Sequence, residues 1–271
     1  MSIDMLPDDI LLDIFGFYVD IARMEAWQTL VHRKKRGQHH AVLERSDRVD
    51  DIELTNLKSS DWEQILAAMQ EPFPELTRLQ LRSHDETPSV FPDSFLGGSA
   101  PRLQHLWFEG IPFPGLPKLL LSATHLVSLR LLDIPHSGYI SPEAIVTALS
   151  TSTRLKLLWL HFVSPQSRPD QARQPPPPLT RSVLPTLTNF WFQGVSKYVE
   201  IFLTLIDAPR LKVLEITFFD IVFDTPQLNR FINHTPISKL LEKAYVTSFR
   251  YDNATVVNFI LETSGDDNNS G

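Results

Sequence analysis

One spacing, apolar-x-x-apolar-x-apolar, recurs seven times between residues 49 and 216 and leaves this chain few ways to fold. It reads Val49/Ile52/Leu54, Leu76/Leu79/Leu81, Leu103/Leu106/Phe108, Leu126/Leu129/Leu131, Leu155/Leu158/Leu160, Leu187/Phe190/Phe192 and Leu211/Leu214/Ile216. Successive first positions lie 27, 27, 23, 29, 32 and 24 residues apart. A unit of that size cannot bury its apolar face alone, so the copies must stack into one continuous core with a long exposed sheet beside it. Function is to be sought on that sheet and at the ends of the array.

Steps of about 20 to 29 residues are those of leucine-rich repeats, and only the 32 falls clearly outside that range. The expected fold class is therefore α/β, a leucine-rich-repeat solenoid forming an open horseshoe with a parallel sheet on its concave face. Between the strands, Ser60–Met69, Leu116–Leu121, Pro142–Leu149, Ser196–Ile206 and Pro226–Ile232 read as helices that return the chain, several opened by Ser, Thr or Pro. The position eight residues after each first apolar residue, commonly Asn or Cys in such repeats, is here Leu57, His84, Ile111, Ile134, Val163, Val195 or Phe219. With no asparagine ladder, the turn backbone after each strand needs other donors or water, which predicts an irregular array.

The 271 residues include no cysteine, which removes disulfides, thiolate metal sites and a cysteine nucleophile, and suits a reducing compartment. Met1-Ser2-Ile3-Asp4 does not open a secretory signal, and no apolar run approaches the about 18 residues of a membrane span. The expectation is an intracellular chain, cytoplasmic or nuclear, with no membrane partner. Asn233-His234-Thr235 and Asn253-Ala254-Thr255 match the glycosylation pattern, but without a secretory signal they read as chance. A net charge of −7 argues against nucleic acid, whose binding rests on Lys and Arg neutralising phosphates.

Before the first repeat, Leu6, Ile10, Leu11, Ile14, Phe15 and Tyr18 fall at helical spacing, with Pro7, Asp8 and Asp9 in the first turn, where they are favoured. A second short helix is expected over Glu25–His32. Leu6-Pro7-Asp8-Asp9-Ile10-Leu11-Leu12-Asp13-Ile14-Phe15 resembles the opening helix of an F-box, the module that attaches substrate receptors to the Skp adaptor of cullin-based ubiquitin ligases. Ahead of leucine-rich repeats, it makes the whole chain similar to the F-box and leucine-rich-repeat proteins of fungi. That resemblance implies a substrate-receptor role and assigns Leu6, Pro7, Ile10, Leu11, Ile14 and Phe15 as hydrophobic anchors in the adaptor. It covers residues 6–32 and then stops. Where an F-box continues through a Val-Cys-Arg-x-Trp-Arg type segment and a third helix, this chain has Arg33-Lys34-Lys35-Arg36-Gly37. The alternative is that residues 6–32 cap the first repeat and cover its apolar edge.

Strand side chains alternate faces, so the residues between the apolar positions stand outward. The central outward column is Glu53, Gln80, Trp107, Arg130, Trp159, Trp191 and Glu215. Asp51, Arg78, His105, Ser128, Leu157, Asn189 and Val213 flank it on one side, and Thr55, Arg82, Glu109, Leu132, His161, Gln193 and Thr217 on the other. Trp and Arg are favoured at binding hot spots because they join large apolar area to a polar handle. The expected site for a partner protein is therefore Arg78, Gln80, Trp107, Arg130, Trp159 and Trp191. The competing reading is that these rings stack on one another across strands without a ligand, and cation-π pairing of Arg130 fits either.

No phosphate-binding glycine loop, Gly-x-Ser-x-Gly elbow or nucleophile with a visible base occurs, so neither catalysis nor a cofactor is expected. His32, His39 and His40 form the one local histidine cluster, on a polar linker that suits a metal poorly. The chain thus divides into an incomplete F-box-like segment at 1–32, a junction at 33–48, a leucine-rich-repeat domain at 49–262 and a disordered tail at 263–271. Within the repeat domain, residues 164–182 form a Pro-rich insertion around Pro175-Pro176-Pro177-Pro178, which lacks the donors that a ladder needs.

Overall fold

In each motif the last two apolar residues lie two apart, on one side of an extended chain, and each motif becomes a strand. The computed structural model describes residues 49–55, 62, 65–67, 69–83, 90–163, 181–219, 225–237, 241–251 and 254–263. The strands are β1 (Asp51–Leu54), β2 (Arg78–Arg82), β3 (His105–Glu109), β4 (Ser128–Ile134), β5 (Leu157–Phe162), β6 (Ser182–Val183), β7 (Asn189–Gly194), β8 (Ile206–Asp207), β9 (Val213–Phe218), β10 (Leu241–Tyr251) and β11 (Ala254–Thr263). Nine of them form one sheet in the order β1-β2-β3-β4-β5-β7-β9-β11-β10. From β1 to β9 neighbours run parallel and follow chain order. The architecture is α/β with a mostly parallel sheet.

Equivalent motif positions pair with each other. Ile52, Leu79, Leu106, Leu129, Leu158, Phe190 and Leu214 form one inward row, and Leu54, Leu81, Phe108, Leu131, Leu160, Phe192 and Ile216 a second. Leu79, Leu129, Leu158 and Phe190 have 0% of their surface exposed, so each contributes the full stabilisation of a buried aliphatic or aromatic group, about 1.5–3 kcal/mol. The rows hold their register because a one-residue slip would turn every one of them to the outer face.

The connections run through α1 (Leu116–Ser122), α2 (Pro142–Leu149), α3 (Ser196–Leu205) and α4 (Pro226–His234), while residues 65–67 are also helical. Proline stands in the first turn of α1, α2 and α4, where its missing N–H costs nothing, and Ser141 caps α2 by accepting from the Ala144 N–H at 3.2 Å. Consecutive helices pack side by side, and their apolar faces join the inward strand rows in a single core. Tyr198 of α3 fixes this layer to the segment before α2 by donating its buried hydroxyl to the Ile140 carbonyl at 3.0 Å. Burial, with smaller contributions from Tyr139 and Glu143, pushes that phenol well above its usual pKa, so it stays a donor.

The backbone itself replaces the missing asparagines. Before each strand one carbonyl accepts two N–H groups from the next unit: Asp50 from Thr77 and Arg78 (2.8 and 3.0 Å), Thr77 from Gln104 and His105, Gln104 from Val127 and Ser128. The pattern continues through Val127, Lys156 and Thr188 as acceptors. After the strands, the N–H groups of Ser83, Gly110, Val163 and Phe219 reach Glu109, Leu132, Ile134 and Gly194 carbonyls at 2.8, 2.9, 3.3 and 3.1 Å. The donors that the sequence left unspecified are thus the main chain of the neighbouring unit.

Two features lie outside the repeated spacing. β11 pairs antiparallel with both β9 and β10, so an antiparallel hairpin ends the sheet. β6 begins at Ser182, the last residue of the Pro-rich stretch, and pairs with β8 in a separate two-stranded sheet.

Candidate functional site: the outward face of the sheet

On the face away from the helices, the pairing builds the central column as the spacing predicts: Glu53, Gln80, Trp107, Arg130, Trp159, Trp191 and Glu215 are successive neighbours. All are half-buried. Gln80 Nε2 donates to Glu53 Oε1 at 2.6 Å. The Arg82 guanidinium lies 3.9 Å and that of Arg130 4.9 Å from the Trp107 ring centre, so two cations share one indole. Trp159 and Trp191 are tilted neighbours with centroids 5.5 Å apart. All the outward site residues expected from the sequence therefore sit on this face, with Arg78 in the flanking column beside Asp51 and His105.

Charge on this face is unevenly paired. Arg78 Nε stands 3.7 Å from Asp51 Oδ2, and Arg82 Nε 3.6 Å from Glu109 Oε2. Among the described residues no carboxylate pairs with Arg130. The Trp107 Nε1 and Arg82 Nε donors are shut off from solvent without a hydrogen-bond acceptor. Burial first, then Arg78 and Arg130, holds His105 below the usual histidine pKa, against a weaker pull from Asp51.

One local departure shapes the lower edge of the face. Pairing between β4 and β5 shifts between Leu131 and Ile134, and Asp133 takes a left-handed φ of 49° there. Asp tolerates this conformation better than most residues. The bulge puts Asp133, rather than the expected Leu132, against His161, with Oδ1 3.4 Å from Nδ1. Burial lowers the His161 pKa, and the opposing pull of Asp133 and Glu109 does not outweigh it. Buried residues step by three here, from Leu131 to Ile134, where a regular strand steps by two, and the apolar Leu132 between them hides that step in the sequence.

Among the described residues no group of three His, Cys, Asp or Glu is placed to hold a metal, and no described helix is long and apolar enough to cross a membrane. A void of about 10 Å³ lined by Phe108, Ile111 and Phe113 is too small for a ligand. Leu6, Pro7, Ile10, Leu11, Ile14 and Phe15, and with them His32, His39 and His40, lie outside the described residues. Compared with protein-family models, curated proteins and solved structures, the chain matches none of them.

Proposed function

We propose that this chain is a non-catalytic protein-recognition module: an irregular leucine-rich-repeat solenoid whose concave sheet holds a target protein, acting as the substrate receptor of a Skp-cullin-F-box ubiquitin ligase in the cytoplasm or nucleus. The observation that carries the recognition reading is the outward column itself. Three tryptophans and an arginine stand side by side on an open, in-register sheet, while the opposite face is closed by helices. Large aromatic groups gathered on one outer face are what binding hot spots are made of. Attachment to the ligase rests on the F-box-like spacing of Leu6, Pro7, Ile10, Leu11, Ile14 and Phe15.

A second reading, a binding scaffold without ligase attachment, is favoured by the loss of the F-box pattern at Arg33-Lys34-Lys35-Arg36. Size-exclusion chromatography with light scattering separates the two, using this chain, the Skp adaptor of its own organism and a Leu11→Asp, Ile14→Asp variant. A one-to-one complex that the variant loses supports the receptor. A folded chain that forms no complex leaves the scaffold, with residues 6–32 as a cap on the array.

A further inference from the structure

We propose that the outward face recognises an acidic segment of its target, with an Asp or Glu carboxylate seated on Arg130 and an apolar neighbour lying along Trp159 and Trp191. The inference rests on the recognition reading above and adds the chemical class of the target.

Among the described residues three arginines stand on this face, and two are already neutralised: Arg78 by Asp51 at 3.7 Å and Arg82 by Glu109 at 3.6 Å. Arg130 is held by an aromatic ring instead, 4.9 Å from the Trp107 centre. A guanidinium lying over a ring keeps the N–H donors of its planar edge free, and that fork matches the two oxygens of a carboxylate. Stacking also fixes the side chain before binding, which lowers the entropy lost on association. Glu53, the acid at the near end of the column, is engaged by Gln80 at 2.6 Å.

Geometry extends the site toward the tryptophans. Arg130 pairs with Trp159, and Trp159 with Trp191, at strand spacings of about 4.8 Å. An extended peptide advances about 3.3 Å per residue, so one crossing the strands from Arg130 presents its next few side chains to the two indoles. A single uncompensated cation suits a singly charged carboxylate. A phosphate dianion seated here keeps one charge unmatched, so a phosphopeptide is the less suited guest.

The test is selection of random linear peptides displayed on phage against the full chain, followed by affinity measurement on synthesised winners. The expected winners carry Asp or Glu next to Leu, Phe or Trp, and replacing that acid by its amide weakens binding about tenfold. In an Arg130→Gln chain that discrimination disappears while the amide peptide still binds; Arg130→Lys retains part of it; and Trp159→Ala weakens acid and amide peptides alike. Winners without acids, equal binding of acid and amide peptides, unchanged discrimination in Arg130→Gln, or tighter binding of a phosphoserine version would each overturn the proposal while leaving the recognition reading intact. Recovery of no peptide at all from a folded chain overturns both. Should Arg130→Gln fail to fold, the acid and amide peptides on the unaltered chain decide the matter.

Discussion

Trp159 and Trp191 meet across β5 and β7 with ring centroids 5.5 Å apart and planes inclined by 46°. The contact is within the range where aromatic pairs attract beyond the area they bury, by about 0.5–1.5 kcal/mol. A double-mutant cycle of Trp159→Ala and Trp191→Ala, read by urea unfolding, is expected to give a coupling of that size. A coupling near zero would mean that the rings stand independently and that their place on this face is owed to something other than each other.

Glu200 of α3 reaches across to the start of α4, where its carboxylate accepts from the Gln227 N–H at 2.9 Å and the Leu228 N–H at 2.8 Å. Thr225, at the cap position, offers no side-chain bond of its own. An acid at a helix start satisfies orphan donors and meets the positive end of the helix dipole. Glu200→Ala should therefore cost about 1–2 kcal/mol, with faster amide exchange confined to α4, and Glu200→Gln should recover part of the loss. Exchange that rose equally in α2 would refute the local account.

Gly110 follows β3 with φ at +67°, and a Cβ there would sit 2.2 Å from the Ser83 carbonyl oxygen. Ser83 is held in turn by the Glu109 carbonyl, so this backbone has little room to withdraw. Gly110→Ala is expected to cost at least about 2 kcal/mol, from left-handed strain and overlap together. Gly98 has a similar φ of +71° but meets nothing nearer than 3.5 Å, and Gly98→Ala should show the conformational cost alone, about 1 kcal/mol. Equal losses at the two positions would remove the Ser83 contact from the explanation.

His161 gives the fold a pH dependence of defined sign. Its pKa in the folded chain lies below the usual value because burial outweighs Asp133 and Glu109. As pH falls through about 6.5 the unfolded chain takes up this proton first, so stability declines from there toward the lower folded pKa. Replacing His161 by Gln should flatten that decline below about pH 6.5 in denaturant titrations. A steeper decline in the variant would show that the Asp133 contact dominates and that the folded pKa is raised.

Much of this molecule can be read from the spacing of its apolar residues. The strand alternation in Leu79-Gln80-Leu81 or Phe190-Trp191-Phe192 separates inner from outer residues without reference to any neighbour, and the common motif sets Gln80, Trp107 and Arg130 in line. Periodicity reports what each strand must bury, and the outward column follows from it. Proline and serine mark the start of α2 for equally local reasons.

Other features depend on contacts that no spacing encodes. Asp133 rather than Leu132 faces His161 because one residue turned left-handed, a choice settled by packing between β4 and β5. The switch from parallel to antiparallel at β11 depends on a hairpin returning to the edge of β9, over a sequence separation where short-range pattern is silent. The neighbours of the three arginines were legible along the chain, since the outward columns already set Arg78 beside Asp51, Arg82 beside Glu109 and Arg130 between two tryptophans, whereas the stacking of both Arg82 and Arg130 on the Trp107 ring is seen only in the fold. The strands, their buried rows and the columns that face outward follow from local alternation under the demand to bury apolar surface, so the spacing alone sets them. The bulge, the closing hairpin and the stacking of two arginines on one indole came only with folding, because they depend on distances that the repeated spacing does not set.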